Sequence, residues 1–238
     1  MADDHAPVST TIEDGVAVLR FDDGKANVLS PTSIEALGTA LDRAELEARS
    51  VCIVGRPGRF SAGFDLSIMT SGPDAARKLL AAGGELIMRV FMHPQPVVAA
   101  VTGHALAAGA LLVLACDVRI AADLPTKIGL NETSIGMPLP LFARELAADR
   151  LDRRHLTQAT LGARTYAPAE AAAIGYVDTV VPADTVEAEA IAEARRLGAY
   201  APRPYAQTKH GLRQPIIDRV VTGGQADLES FTVGPAAD

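Results

Sequence analysis

The run VVAAVTGHALAAGALLVLAC, residues 97–116, carries no fixed charge and constrains the chain more than any other stretch. An apolar run of this length either spans a bilayer or sits at the centre of a water-free core. Its internal pattern decides. The first part is β-branched (Val97, Val98, Val101), Gly103-His104 interrupts it, and the rest is Ala and Leu. β-Branched residues suit strands, and Ala and Leu suit helices. The run therefore predicts a buried strand over VVAAV, then a buried helix over HALAAGALLVLAC, and not a membrane span. Both elements lack a polar face, as expected where a parallel sheet is covered on both sides.

The remaining sequence agrees with an α/β class. TTIEDGVAVLRF reads as two antiparallel strands turning at Asp14-Gly15. Ser30-Pro31 opens a helix with the apolar stripe Ile34, Leu37 and Leu41. SVCIVG is a short strand, RPGRFSAGFDLSIM a glycine-bearing loop, and DAARKLLAAGGELIMRVFM a helix stopped by HPQP. VRIAA and TKIGLNE read as extended pieces. From Leu141 the pattern is mostly helical, broken by YVDTVVP as a last strand. Short buried strands alternating with helices imply a parallel sheet with crossovers.

Charge and composition exclude several functions. With a net charge of −7 and 4% aromatics, the chain lacks the cationic excess and stacking residues of a nucleic-acid binder. Cys52 and Cys116 lie in apolar runs and read as free thiols of a reducing compartment, and MADDHAPVST lacks the apolar centre of a signal peptide. A cytoplasmic location is expected. The five histidines show no metal-ligand spacing, so no metal is expected.

Three segments carry candidate chemistry. FSAGFDL (60–66) is a small-residue turn where a ligand can approach backbone. GHALAAGALL (103–112) leads a strand into a helix whose first N–H groups lack internal partners. KIGLNETSIGMP (127–138) holds one carboxylate, Glu132, among apolar and small polar neighbours. Two loop amides converging on one point form an oxyanion hole.

In this order and spacing, together with GKANVLS, HPQPVVAAVTGHALAAGALLVLACDVRIAAD and GARTYAPAEAAAIGYVDTVVP, these segments resemble the crotonase (enoyl-CoA hydratase/isomerase) superfamily over roughly residues 10–190. The resemblance implies a spiral of ββα units over residues 1–185. A helical region over 186–238 would serve trimerisation and cover the site, in a homotrimer or dimer of trimers. It implies a coenzyme A thioester as substrate and no cofactor. The Phe64 and Ala108 amides would form the oxyanion hole. Lys25, Ala26 and Val28 would line the nucleotide end, Ala62, Asp65 and Leu66 the adenine and pantetheine, with Leu111 and Asn131 also at the substrate. Lys25, Arg56 and Arg59 are candidates to meet a CoA phosphate. His104, beside the oxyanion loop, reads as structural.

Departures from the family pattern sharpen the expectation. Two-glutamate hydratases carry one acid six positions before the Asp of the Cys-Asp pair, which here is Leu111, and a second at Glu132. Hydration must activate water and protonate carbon, whereas moving a double bond from the 3 to the 2 position needs one base. A single Glu132 in apolar surroundings fits the second task. CDVRIAAD followed by IGLNET also resembles the Δ3,Δ2-enoyl-CoA isomerases more closely than the hydratases. The oxyanion loop reads Ala107-Ala108-Gly109 in place of a glycine-rich run, which requires ordinary backbone angles for the hole to survive. The chain stops short of the family's basic tail, leaving the cover of the site open. Hydration, another crotonase-type reaction, and a catalytically silent acyl-CoA binder are the alternatives.

Overall fold

Asp14 and Gly15, at φ 50° and 78°, make the tight turn between β1 (Val8–Glu13) and β2 (Val16–Phe21), which pair antiparallel from Val8↔Phe21 to Glu13↔Val16. This hairpin opens a computed structural model that describes residues 6–232. After β3 (Val28–Leu29), Ser30 caps α1 (Pro31–Glu47) by accepting from the Ser33 N–H, with Pro31 in the first turn. Next come β4 (Ser50–Val54), β5 (Gly58–Ser61), β6 (Gly63–Phe64), one turn of helix α2 (Leu66–Met69) and α3 (Pro73–Met92). The uncharged run supplies β7 (Val97–Val101), β8 (Gly103–Leu106) and α4 (Ala108–Ala115). β9 (Val118–Asp123), β10 (Ile128–Gly129), a 3-10 turn over Glu132–Ile135, and α5 (Leu141–Arg150) follow. The chain continues through α6 (Leu156–Ala159), α7 (Pro168–Ile174), β11 (Thr179–Pro182), α8 (Val186–Gly198) and α9 (Pro202–Ser230).

Each turn of the chain sends its first strand into one sheet and its second into another. β2, β4, β7 and β9 run parallel in a six-stranded sheet of order β1-β2-β4-β7-β9-β11. β5, β8 and β10 make a three-stranded parallel sheet, and β3 pairs with β6. This is the crotonase-type spiral of ββα units. Strand alternation divides the large sheet between two cores. Ala17, Leu19, Val51, Ile53, Val97 and Ala99 face the main helical core. Val16, Val18, Cys52, Val54, Val98 and Ala100 face α8, which packs through Val186, Ala190, Ala194 and Leu197.

The structure corrects three local readings. RPGRFSAGFDLSIM is not one loop but β5, β6 and α2. Gly103–Leu106 is a strand, so the buried helix starts at Ala108 and not at His104. TKIGLNE is extended only at Ile128-Gly129, and Glu132 begins a 3-10 turn. All three involve strands of two to four residues, too short to show a period-2 pattern, whose pairing partners lie in other turns of the spiral. Among the described residues, no helix is long and apolar enough to cross a membrane. The terminal VGPAAD and Met1–His5 lie outside the described residues.

Candidate active site

The small-residue segments meet where β6 passes the start of α4. Gly63 has φ +95°, and a Cβ placed there would lie 2.8 Å from the Ala107 Cβ and 3.1 Å from the Ala108 nitrogen. A Cβ at Gly109 would lie 2.4 Å from the Ser61 carbonyl oxygen. Only glycine permits this approach. It brings the Phe64 peptide next to that of Ala108. Ala107 closes the turn: it donates to the Gly129 carbonyl at 3.0 Å and takes φ 50°, ψ −127°. The expectation of ordinary angles fails at Ala107, which occupies a region that L-residues disfavour, but α4 still begins at the next residue, so the first N–H of the helix stands at Ala108 despite the strain. The Ala108 N–H, first of α4, has no protein acceptor among the described residues.

Beside this junction lies a cavity of about 220 Å³. Of the residues predicted for the site, Ala62, Phe64, Leu66, Leu111, Asn131 and Glu132 line it. Ala108 is fully buried behind the wall. Lys25, Ala26, Val28 and Asp65 do not line it. They neighbour lining residues instead: the Ala62 N–H donates to the Ala26 carbonyl (3.0 Å), Val28 pairs with Gly63 in β6, and Asp65 caps α2 through the Ser67 N–H (2.9 Å). Arg56 reaches the Lys25 carbonyl at 2.9 Å. Arg59 and His104 are register partners on β5 and β8, and His104 Nδ1 accepts from the Lys127 N–H at 3.0 Å. His104 is thus held in a cross-strand row outside the cavity, and burial with Arg59 and Lys127 lowers its pKa.

Among the described residues, Glu132 is the only ionisable one on the cavity wall. It is 8% exposed, and its Oε2 has no hydrogen-bond partner. The neighbouring Asn131 Oδ1 is also unpartnered. Burial raises the Glu132 carboxyl from 4.5 to about 7, with its own backbone N–H opposing. Leu111, 1% exposed, belongs to the same wall, where the described residues supply no second carboxylate. Such a group holds a proton weakly enough to release it near neutrality and strongly enough to take one.

Sequence reasoning missed much of the remaining wall: Met69 and Leu80 from α2 and α3, Ile135, Met137 and Pro138 around the 3-10 turn, and Phe231. Nothing local marks them, since each reads as ordinary apolar core. Phe231, 5% exposed, brings the end of α9 onto the cavity wall. Asp227 fixes that end by accepting from the Leu141 N–H (2.6 Å) and Arg144 (2.7 Å) at the start of α5. Tyr176 supports the Glu132 segment from below. Fully buried, its hydroxyl accepts from the Leu130 N–H at 3.2 Å.

Comparison with known proteins identifies the family. The family model described as enoyl-CoA hydratase/isomerase matches residues 11–237. Human mitochondrial enoyl-CoA delta isomerase 1 is 33% identical over 91% of this chain and 74% of its own length. A probable enoyl-CoA hydratase of Bacillus subtilis is 34% identical over 96% of this chain and 90% of its own. Among solved structures, an enoyl-CoA isomerase of Mycobacterium tuberculosis superposes with a TM-score of 0.91 at 36% identity, covering 95% of this chain and 99% of that one. A matching fold, the site's small-residue junction and these similarities place the chain in the enoyl-CoA hydratase/isomerase family.

Proposed function

We propose that the chain moves a double bond of a fatty enoyl-CoA from the 3 to the 2 position, with Glu132 as the single acid–base group. The observation that carries this is Glu132, the one ionisable side chain among the described residues of a mostly apolar cavity wall. The Glu132 carboxylate takes the proton from C2. The electron pair moves into the thioester, giving a dienolate whose oxygen accepts from the Phe64 and Ala108 N–H groups. The protonated Glu132 then delivers the same proton to C4, leaving the double bond between C2 and C3. Atoms and charge balance without water. Leu111 stands where the two-glutamate hydratases carry their other acid, so no second carboxylate activates water. The nucleotide end of the thioester would lie past Ala62 toward Lys25, Ala26, Val28 and Asp65, with Arg56 and Arg59 as candidate phosphate partners.

Hydration is the second reading, since relatives of similar identity are named hydratases. Incubating the protein with a 3-enoyl-CoA and with a 2-enoyl-CoA separates the two. Conjugated thioester from the first and no 3-hydroxyacyl product from the second is the expected result. Hydration at a matching rate sinks the one-base mechanism, and acyl-CoA binding without turnover of either leaves a binding protein.

A further inference from the structure

The apolar end of the Glu132 cavity faces a second space with one thin wall between them. That second space, about 260 Å³, lies between α3, α5 and α9 and opens to solvent near Val221, which is 75% exposed. Leu80 of α3 lines both spaces. On either side of it the partition is completed by the entry to α5, with Pro140 facing one space and Leu141 the other. The end of α9 contributes likewise, with Phe231 on the first side and Leu228 on the second. Leu80, Phe231 and Leu228 belong to one small apolar cluster with Met69, Ala76 and Met137. The partition is thus a few side chains thick and is held by the Asp227 contacts to Leu141 and Arg144.

From this we infer that Leu80 and Phe231 form a stop that limits the acyl chain to short substrates, and that removing either side chain opens a route for long ones. The inference rests on the proposed reading that an acyl thioester occupies the Glu132 cavity. The cavity, about 220 Å³, ends at Leu80 and Phe231 on its apolar side. The thioester and the reacting carbons must take part of it. A short chain ends against Leu80 and Phe231, whereas a long one has to pass Leu80 into the second space. Joining the two spaces about doubles the room, and the second space provides an exit to solvent.

Binding tests this without turnover. Hexanoyl-CoA and dodecanoyl-CoA are titrated calorimetrically into the full-length protein and into Leu80→Ala and Phe231→Ala. The unmodified protein should bind hexanoyl-CoA at least about tenfold tighter, a difference of about 1.4 kcal/mol. Either variant should erase or reverse that ratio by strengthening the long-chain complex. Phe231 lies at the end of the last helix, so Phe231→Ala keeps the test valid if Leu80→Ala folds poorly. Equal or tighter binding of dodecanoyl-CoA by the unmodified protein overturns the stop, as does an unchanged ratio in Phe231→Ala. Either result leaves the acyl-CoA reading standing, whereas binding of neither thioester overturns both.

Discussion

The two ends of α4 carry buried carboxylates in opposite states. At its C-terminal end, Asp117 accepts from the Val97 N–H (2.7 Å) and Lys209 (2.7 Å) and pairs with Arg213 (2.8 Å). Arg150 satisfies the last carbonyls of the helix, at Leu114 (3.0 Å) and Cys116 (3.1 Å). Near its N-terminal end, Glu132 has an oxygen without a partner, Ala108 has an N–H without an acceptor, and Ala107 is strained. The Asp117 carboxylate has its oxygens taken up by one N–H and two cations and serves the fold. One surrounded by apolar side chains exchanges a proton near neutrality. The same helix therefore ends in structure on one side and in unspent hydrogen-bonding capacity on the other.

Glu132→Gln addresses the reactive end and carries the largest expected effect. Loss of a general base lowers kcat by about 10²–10⁴. Under the proposed mechanism, kcat/KM of the unmodified protein should rise with pH through about 7 as Glu132 ionises. Stability should change the other way. Because folding raises this carboxyl from 4.5 to about 7, the unfolded chain releases its proton first, and native stability falls as pH rises between those values. The ionised form then costs about 3 kcal/mol above pH 7. Urea unfolding should find Glu132→Gln more stable than the unmodified protein at pH 8, with the gap closing below about pH 4.5. Lower stability of the variant at pH 8 contradicts the contrast between the two carboxylates.

Asp117→Ala tests the other end. It leaves Lys209 and Arg213 buried without their anion, which costs about 3–5 kcal/mol. Thermal unfolding should show that loss while the isomerase rate of the folded fraction stays close to normal. A small stability loss accompanied by a large rate loss would reverse the roles assigned to the two carboxylates. Tyr176→Phe is a milder test, because it orphans the buried Leu130 N–H two residues before Glu132, at about 1–3 kcal/mol. A shifted pH midpoint of kcat/KM would mark Tyr176 as positioning Glu132. Lost stability with an unmoved midpoint restricts it to packing.

This contrast was only half legible in the sequence. The fold class followed from the long elements, since the uncharged run permits few arrangements outside a buried strand and helix. The ββα spiral came with the family resemblance, carried by the same motifs as Glu132 and Leu111. The short strands β5, β8 and β10 were not legible, because their hydrogen-bond partners lie in other turns of the chain. Asp117 gave no local sign of being caged, because Lys209 and Arg213 are about ninety residues away. Phe231 reads as an ordinary end-of-helix aromatic until α9 folds back over the cavity. Spacing within a segment survives in sequence, whereas contacts between distant segments appear only once the chain is folded.

The smallest effect concerns Ala107. Its φ of 50° and ψ of −127° cost an L-residue about 1–3 kcal/mol, and glycine adopts them freely. Ala107→Gly relieves that strain but loosens the unfolded chain, at about 0.4–1 kcal/mol, and removes a partly buried methyl worth about 0.8 kcal/mol. The terms nearly cancel, so urea unfolding should show a change of about 1 kcal/mol or less, on the stabilising side if the strain lies in the upper part of its range. The rate is the more informative readout. If the strained turn holds the Ala108 N–H toward the thioester oxygen, added freedom at residue 107 should lower kcat while leaving acyl-CoA affinity nearly unchanged. An unaltered kcat would show that the Gly63 and Gly129 contacts alone hold the turn, and that the strain at this end of α4 is incidental to its chemistry.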